Sequence, residues 1–370
     1  MSGRRSLTIG LDARAAAEVP AGGGRVVREL LAALAERDDP HAYRLYCRVP
    51  GELELDERFL WEVAGLPDPL WHAAAAWRAS RECDVFLSTN SYLTAWMLRI
   101  PSAIVVYDLI AFVPGARAQR RAGRIERATL GPAVRRAAAI LCISQATRQD
   151  LVARRPDAAA KCDVVHVAAH RRFARALSEG EREAARSRLD LPPSYVLSVG
   201  TLEPRKNLAR LVEAHTRLPA DLRAAHPLLL VGPPGWEVED LLARLATGAD
   251  HVRVLGFVSD EDLVALYAMC SAFCYPSLYE GFGMPVLEAM QAGAPTITSS
   301  VSSLPEVGGD AVRYVDPRRV ESIEDGLREV LGSEELRERL RRAGRARAAG
   351  YSWDRTAAEA LAVLERISRS

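Results

Sequence analysis

Ala272-Phe-Cys-Tyr-Pro-Ser-Leu-Tyr-Glu-Gly-Phe-Gly-Met-Pro-Val-Leu-Glu-Ala-Met-Gln-Ala-Gly293 reads as a strand, a loop and a helix in close succession. Ala272–Tyr275 is a short apolar run with two aromatics, the pattern of a buried strand. Pro285 suits the first turn of a helix, where its missing N–H leaves nothing unpaired. The helix it opens, Val286 to Gln291, is expected to end at Gly293, a good C-terminal stop. Gly281, Phe282, Gly283 and Met284 then form a loop running into a helix N-terminus. Free N–H groups and the positive dipole end gather there, which suits a phosphate or an oxygen gaining negative charge. Glu280 lies on the loop and Glu288 inside the helix, so the two carboxylates can reach different parts of one ligand.

Outward from this stretch, short β-like runs alternate with longer helical patterns, which predicts parallel sheets covered by helices on both faces. Strands are expected at Leu7–Leu11, Tyr43–Val49, Val85–Ser88, Ala103–Val106, Ile140–Ile143 and Val164–Val167. Helical stretches such as Arg25–Glu36 and Arg120–Ala139 lie between them. Ala176 to Pro193 is charged and helix-prone and reads as a linker. A second series follows at Tyr195–Gly200, Pro227–Val231, Val252–Leu255, Thr296–Thr298 and Ala311–Val315, around the strand already described. After Arg318 the chain is almost entirely helical. The fold class expected is α/β: two doubly wound, Rossmann-like domains, 1–175 and 176–352, facing a cleft.

The 370 residues suffice for two cores, and a net charge of +1 gives no general case for nucleic-acid binding. Six scattered cysteines without C-x-x-C spacing read as reduced, mostly buried thiols of a cytoplasmic protein. The basic N-terminus runs straight into a strand-like segment, unlike a signal peptide, and no apolar run is long enough to span a bilayer. Arginine replaces lysine almost everywhere; only Lys161 and Lys206 remain. Lys161 sits in a polar stretch and reads as ordinary surface.

Lys206 lies in Ser198-Val-Gly-Thr-Leu-Glu-Pro-Arg-Lys-Asn207, after a strand that ends at Gly200 and before an apolar-faced helix. In doubly wound sheets ligands bind at such carboxyl ends. Arg205 and Lys206 at a helix N-terminus oppose its dipole, an arrangement easiest to justify if an anion is bound between them. A third such place is Ala21-Gly-Gly-Gly-Arg25, where Gly23 and Gly24 allow close backbone approach before a helix, although a plain turn would read the same.

Gly200-Thr-Leu-Glu-Pro-Arg-Lys-Asn207, Gly256-Phe-Val-Ser-Asp260, Tyr279 to Glu288 and Ser303-Leu-Pro-Glu-Val307 together resemble glycosyltransferase family 4. These are retaining, nucleotide-sugar-dependent enzymes of the GT-B fold, and the wording is similar to that of bacterial polysaccharide mannosyltransferases. The resemblance implies that Glu280 contacts donor-sugar hydroxyls and that backbone N–H groups of Phe282 to Met284 hold the sugar and distal phosphate. It gives Glu288 to the ribose hydroxyls and Arg205 with Lys206 to the diphosphate. Val231 to Trp236 and Phe257-Val258 would border the nucleobase, and Gly23 and Gly24 would approach the phosphates. The tail 353–370 would cross back to the first domain. The resemblance further implies a GDP-, UDP- or dTDP-hexose as co-substrate, no cofactor and no metal, and a glycan, lipid-linked or small-molecule acceptor. Glu280 is not expected to act as a nucleophile.

Two departures stand out. Where the family commonly has His-Asp, this chain has Tyr107-Asp108, and tyrosine cannot become a cation. Asp108 reads equally as a hydrogen-bond partner near the sugar or as a cap of the following loop. Val167-Ala-Ala-His-Arg-Arg-Phe173 also differs from the usual wording before the linker. Arg117, Arg120, Arg121, Arg124 and Arg127 form one stripe on a helix, either a solvated face or a contact for a lipid diphosphate or an anionic inner membrane face. Trp61, Trp71, Trp77 and Trp96 are expected in core and domain packing, with stacking on an acceptor sugar as the alternative. Competing functions are a nucleotide-sugar epimerase on the same scaffold and a non-catalytic sugar-nucleotide-binding protein. A pyridoxal-phosphate phosphorylase would need a Schiff-base lysine, and only two lysines are available.

Overall fold

A computed structural model describes residues 6–19, 22–90, 92–113, 120–246 and 251–369. The chain divides into two compact units. The first takes residues up to Val113, Arg120–Ala168 and the C-terminal segment from Ser352; the second takes Ala169–Tyr351.

Among the described residues the first unit holds a seven-stranded parallel sheet. Its strands are β1 (Thr8–Asp12), β2 (Ala42–Cys47), β3 (Phe59–Val63), β4 (Val85–Ser88), β5 (Ser102–Val106), β6 (Ala139–Cys142) and β7 (Cys162–Val164). They lie in the order β3-β2-β1-β4-β5-β6-β7. The second unit holds six parallel strands: β8 (Val196–Val199), β9 (Leu228–Val231), β10 (Val252–Gly256), β11 (Ala272–Tyr275), β12 (Thr296–Ser299) and β13 (Arg313–Val315). Their order is β10-β9-β8-β11-β12-β13. β4, β6, β9, β11 and β12 are buried along their whole length, as expected of apolar strands covered by helices on both faces. In both sheets the chain reverses its direction of growth beside the first strand, between β1 and β4 and between β8 and β11. Ligands collect at the carboxyl ends of the strands on either side of such a reversal.

Strand boundaries differ from expectation by a residue or two, most at β7, which was expected at Val164–Val167. β3 was not expected at all. It is an edge strand on which Phe59 and Glu62 are buried while Leu60 and Val63 are exposed. Buried Glu62 pairs with Arg44 and Arg78, and this charge hides the apolar alternation from a sequence reading. The expected linker is mostly the helix Glu179–Leu189. Ser178 and Glu181 close a reciprocal capping box at its start, and Asp190 takes φ 49° at its end. The last helix, Trp353–Ile367, packs within the first unit. Arg37 pairs with Asp354 at 2.7 Å, Glu365 reaches His41 Nε2 at 3.1 Å, and Thr356 Oγ1 donates to the His166 carbonyl at 2.6 Å.

Trp71 is fully buried and donates Nε1–H to the Cys47 carbonyl at 3.2 Å. Trp77 and Trp96 contradict the packing expectation, since both are exposed. Trp77 is six positions beyond Trp71, so the helix Leu70–Glu82 has turned to its opposite face. All six cysteines are unpaired, and five are buried. Among the described residues no helix is long and apolar enough to cross a membrane.

Candidate active site

In the second unit the loop after β11 leads into the helix Met284–Ala292, with Pro285 in its first turn and Gly293 as C-cap at φ 82°. Gly283 caps the N-terminus at φ 103°. A Cβ there would sit 2.6 Å from Leu304 Cδ2, so both backbone and packing demand glycine. The loop is pinned from the next strand crossing. Ser302 Oγ accepts the Glu280 N–H at 2.9 Å, and the Ser303 hydroxyl reaches the carbonyls of Glu280 and Phe282 at 2.9 and 2.8 Å.

Arg205 and Lys206 lie on a tight turn, Pro204–Lys206, after β8. Asn207 closes the turn at φ 60°, and its Nδ2 donates to the carbonyls of Pro276 (3.0 Å) and Pro317 (2.6 Å). Gly200 is left-handed at φ 147°, and a Cβ there would stand 3.3 Å from Lys206 Cε, so this glycine opens the track for the lysine stem. The two strand ends flanking the β8–β11 reversal thus bring Arg205, Lys206 and Glu280 together.

These three residues are bonded to one another. Lys206 Nζ donates to Glu280 Oε1 at 2.8 Å, and the Tyr275 hydroxyl donates to the same oxygen at 2.8 Å. Arg205 Nη1 donates to Glu280 Oε2 at 2.5 Å, and its Nη2 donates to Glu203 Oε1 at 2.6 Å. Lys206 Nζ also contacts the Tyr275 hydroxyl. Glu203, Lys206 and Glu280 are all buried. Burial alone would raise the Glu280 pKa, but Arg205 and Lys206 outweigh it and hold the group at about 2. Burial is the largest influence on Lys206 and pulls it below the usual lysine range, against the opposing Glu280 carboxylate. The anion that the two cations require is therefore supplied by the protein itself, where the sequence suggested a bound ligand alone. Glu203 and Tyr275 were not singled out in the sequence. Glu203 is two residues from Arg205, and Tyr275 ends its strand, but neither spacing reveals a shared carboxylate.

Glu288 is buried in the helix, and its Oε2 accepts the Tyr267 hydroxyl at 3.1 Å. Phe257 is 75% exposed beside half-buried Val258, so it offers an uncovered ring face.

In the first unit Gly22 caps the helix Gly23–Ala35 at φ 57°. Gly23 has open space around its missing Cβ. A Cβ on Gly24 would strike the Val19 carbonyl oxygen at 1.8 Å, so Gly24 serves close packing on its own chain. Tyr107 and Asp108 follow β5, both half-buried. Asp108 Oδ1 accepts the Ile110 N–H at 3.0 Å, which is the loop cap of the two readings offered above. Of the arginine stripe, Arg117 lies outside the described residues, as do the side chains of Arg120 and Arg121. Arg124 is exposed, and Arg127 Nε donates to the Ala111 carbonyl at 2.7 Å.

Asp12, which the sequence did not flag, ends β1 beside the reversal of the first sheet. It is fully buried, its Oδ1 accepts the Arg14 N–H at 3.3 Å, and among the described residues Oδ2 has no hydrogen-bond partner. Burial raises its pKa from 3.8 to about 6. The folded state therefore holds this proton more tightly than the unfolded chain. That advantage is complete below pH 3.8 and is lost as pH rises through about 6. Asp12→Asn is expected to stabilise the protein by about 3 kcal/mol above neutral pH and to change little in acid. Urea melts at the two pH values check this, and an equal change at both contradicts it.

Residues 20–170 match the family Glycosyltransferase Family 4, and residues 180–347 match Glycosyl transferases group 1. The chain belongs to glycosyltransferase family 4. Its relatives include the O-antigen chain mannosyltransferase B of Escherichia coli, 45% identical over 163 residues that cover 43% of this chain and 42% of the relative. The serotype-specific mannosyltransferase WbdA of Escherichia coli is 35% identical over 240 residues, covering 64% of this chain and 29% of WbdA. This family 4 chain thus spans less than half the length of these curated relatives. Solved structures with the same fold include Anabaena HepE in complex with UDP and glucose, at TM-score 0.75 and 16% identity, covering 96% of this chain and 98% of HepE. WaaG, a glycosyltransferase involved in lipopolysaccharide biosynthesis, aligns at TM-score 0.73 and 17% identity over 96% of this chain and 99% of WaaG. The fold of this glycosyltransferase is GT-B.

Proposed function

We propose that the protein transfers a hexosyl unit, mannose from GDP-mannose in the first instance, to a hydroxyl of a glycan or glycolipid acceptor with retention at the anomeric carbon. UDP- and dTDP-hexoses are the other donors in this reading. The observation that carries it is the Glu280 carboxylate held between Arg205 and Lys206 at the β8–β11 reversal. The names of the mannosyltransferase relatives support the choice of sugar. Both cations sit where a donor diphosphate would meet them, and the loop Gly281–Met284 adds helix N-terminal N–H groups for its distal phosphate. Phe257 offers its exposed ring to the nucleobase, and Glu288 serves the ribose hydroxyls.

In the transfer the bond from the anomeric carbon to the phosphate oxygen breaks, and one from that carbon to the acceptor oxygen forms on the same face. The acceptor proton passes to the departing phosphate. The leaving group gains negative charge as the sugar becomes oxocarbenium-like, and Arg205 and Lys206 stabilise that charge, each worth on the order of a few kcal/mol. This reading assigns no role to a metal or a cofactor. In this reading Glu280 is a ligand for the sugar and not a nucleophile: it pairs with Arg205 and Lys206 in the free protein and turns to the sugar hydroxyls when the diphosphate takes its place between the cations. Catalysis takes place in the cytoplasm, in keeping with the six reduced thiols. A thermal-shift screen of GDP-mannose against UDP- and dTDP-hexoses tests the donor. The largest rise in melting temperature is expected for GDP-mannose, and no rise with any nucleotide sugar contradicts the reading.

A further inference from the structure

β3 is the outer strand of the first sheet, and among the described residues no strand bonds its free side. The Arg58 carbonyl accepts the Tyr43 N–H at 2.7 Å, and the Ala64 N–H donates to the Cys47 carbonyl at 3.0 Å. Even-numbered residues of β3 therefore bond β2, and Trp61 and Val63 turn their N–H and C=O groups to the open edge. Such edges are normally guarded by lysine, proline, a bulge or an exposed charge. Phe59–Val63 has none of these: its one charge, Glu62, is buried and neutralised by Arg44 and Arg78, and its register with β2 is unbroken. Leu60 and Val63 are instead 54% and 48% exposed.

The helix Leu70–Glu82 continues this edge. It lies over β2 and β3, because Trp71 donates to the Cys47 carbonyl, Arg78 pairs with Glu62, and Glu82 meets Arg44 at 3.3 Å. On its other side His72 Nδ1 meets Thr94 Oγ1 of the helix Tyr92–Met97 at 2.7 Å. At about 100° per residue, Arg78 points about 120° away from His72, and Ala74, Arg81, Leu70 and Trp77 follow within about the next 100°. These four side chains form one flank, turned away from the neighbouring helix and towards the β3 edge and solvent. Leu70 is 59% and Trp77 63% exposed, and the Arg81 guanidinium lies over the Trp77 ring at 4.9 Å. Ala73 and Ala74 leave a shallow gap beside the indole. Arg44, Arg78, Glu62 and Glu82 cancel one another's charge along the seam.

We propose that this edge pairs with its own equivalent in a second copy of the chain, β3 antiparallel to β3 about a two-fold axis, joining the two first-unit sheets into one. Only another strand supplies the N–H and C=O partners that Trp61 and Val63 present. The helix fits the same axis. It lies over the β2–β3 gap, one strand spacing from the midline of the new pair, so the two helices stand about 10 Å apart. That is the usual distance for packed helices. Their antiparallel contact sets each Trp77 over the small Ala73–Ala74 surface of the other copy, a self-complementary match of large on small. With the seam charges cancelled within each copy, nothing there favours a partner of opposite charge. The proposal goes beyond the sugar transfer and does not depend on which sugar is moved.

Sedimentation velocity of the full chain, from about 1 to about 100 μM, tests it across the range expected of a contact of modest area. Wild type is expected to sediment as a dimer at the upper end and to dissociate on dilution. Leu60→Lys places like charges on the two strands and is expected to leave a monomer throughout; Leu60 is exposed, so circular dichroism and melting temperature should stay at wild-type values. Val63→Pro removes one outward N–H without touching the ladder to β2 and is expected to do the same. Trp77→Ala should weaken the dimer by about thirtyfold. Ile125→Ser, at an exposed apolar residue of the helix Arg120–Arg136, should leave it unchanged. A wild-type chain that stays monomeric at every concentration overturns the proposal. So does a dimer that survives Leu60→Lys, or one lost in Ile125→Ser and kept in Leu60→Lys and Trp77→Ala.

Discussion

Lys206→Ala is expected to lower sugar transfer by about a hundred- to a thousandfold, the usual cost of removing one preorganised donor aimed at developing charge. The ammonium is buried, fixed by Glu280 and the Tyr275 hydroxyl, and reaches its place across Gly200. A buried, held cation stabilises a departing diphosphate far better than a solvated one, since little water competes with it. The same burial means that the substitution also affects the fold. Glu280 would retain Arg205 and Tyr275 but lose one of its two cations, and breaking a buried ion pair commonly costs about 3–5 kcal/mol. A lower melting temperature should therefore accompany the lost turnover. Lys206→Arg is not expected to restore activity, because a planar guanidinium does not fit the place of a compact ammonium. Steady-state release of nucleoside diphosphate, measured below the melting temperature of each variant, checks the prediction; turnover near wild type in Lys206→Ala contradicts the role.

Glu280→Gln is expected to reduce transfer by about a hundredfold or more while leaving nucleoside diphosphate binding intact or tighter. The amide keeps the shape of the side chain but removes the negative charge that faces Arg205 and Lys206. With that charge gone, the two cations meet a diphosphate without first exchanging a partner, whereas the sugar loses its carboxylate contact. Opposite effects on product affinity and on turnover separate this role from a purely structural one. The pH dependence has a definite sign. Glu280 is held at about 2 in the folded protein against 4.5 ordinarily, so its stabilisation is present above 4.5 and is lost as pH falls towards 2. The stability gap between wild type and Glu280→Gln should accordingly narrow across that acid range. Isothermal titration with GDP and acid melts of the two proteins check both halves.

How much of this was legible in the sequence depended on whether the signal was local. The stretch Ala272–Gly293 could be read because proline and glycine punctuate it at the positions a helix start and stop require, and the structure places Pro285 and Gly293 accordingly. The order of strands and helices followed from runs buried on both faces, which need no knowledge of neighbours. Ser178-x-x-Glu181 carried a helix start that was readable as a capping box, yet the charged composition around it suggested a linker. β3 was hidden because its buried Glu62 is neutralised by arginines from other elements, which only the fold brings together. Glu203, Tyr275 and Asp12 escaped for the same reason: a lone polar residue at a strand end says nothing until its partners, or their absence, are known in space. Gly24 shows the converse, since a glycine that reads as a ligand approach is required by a carbonyl of its own chain.

The central claim is that Arg205, Lys206 and Glu280 form the donor-diphosphate site of a sugar transfer. The most direct measurement is acceptor-dependent release of GDP from GDP-mannose by wild type and Lys206→Ala side by side. The account predicts release by wild type that requires a glycan acceptor and is almost absent in the variant. Equal release by the two proteins would contradict it.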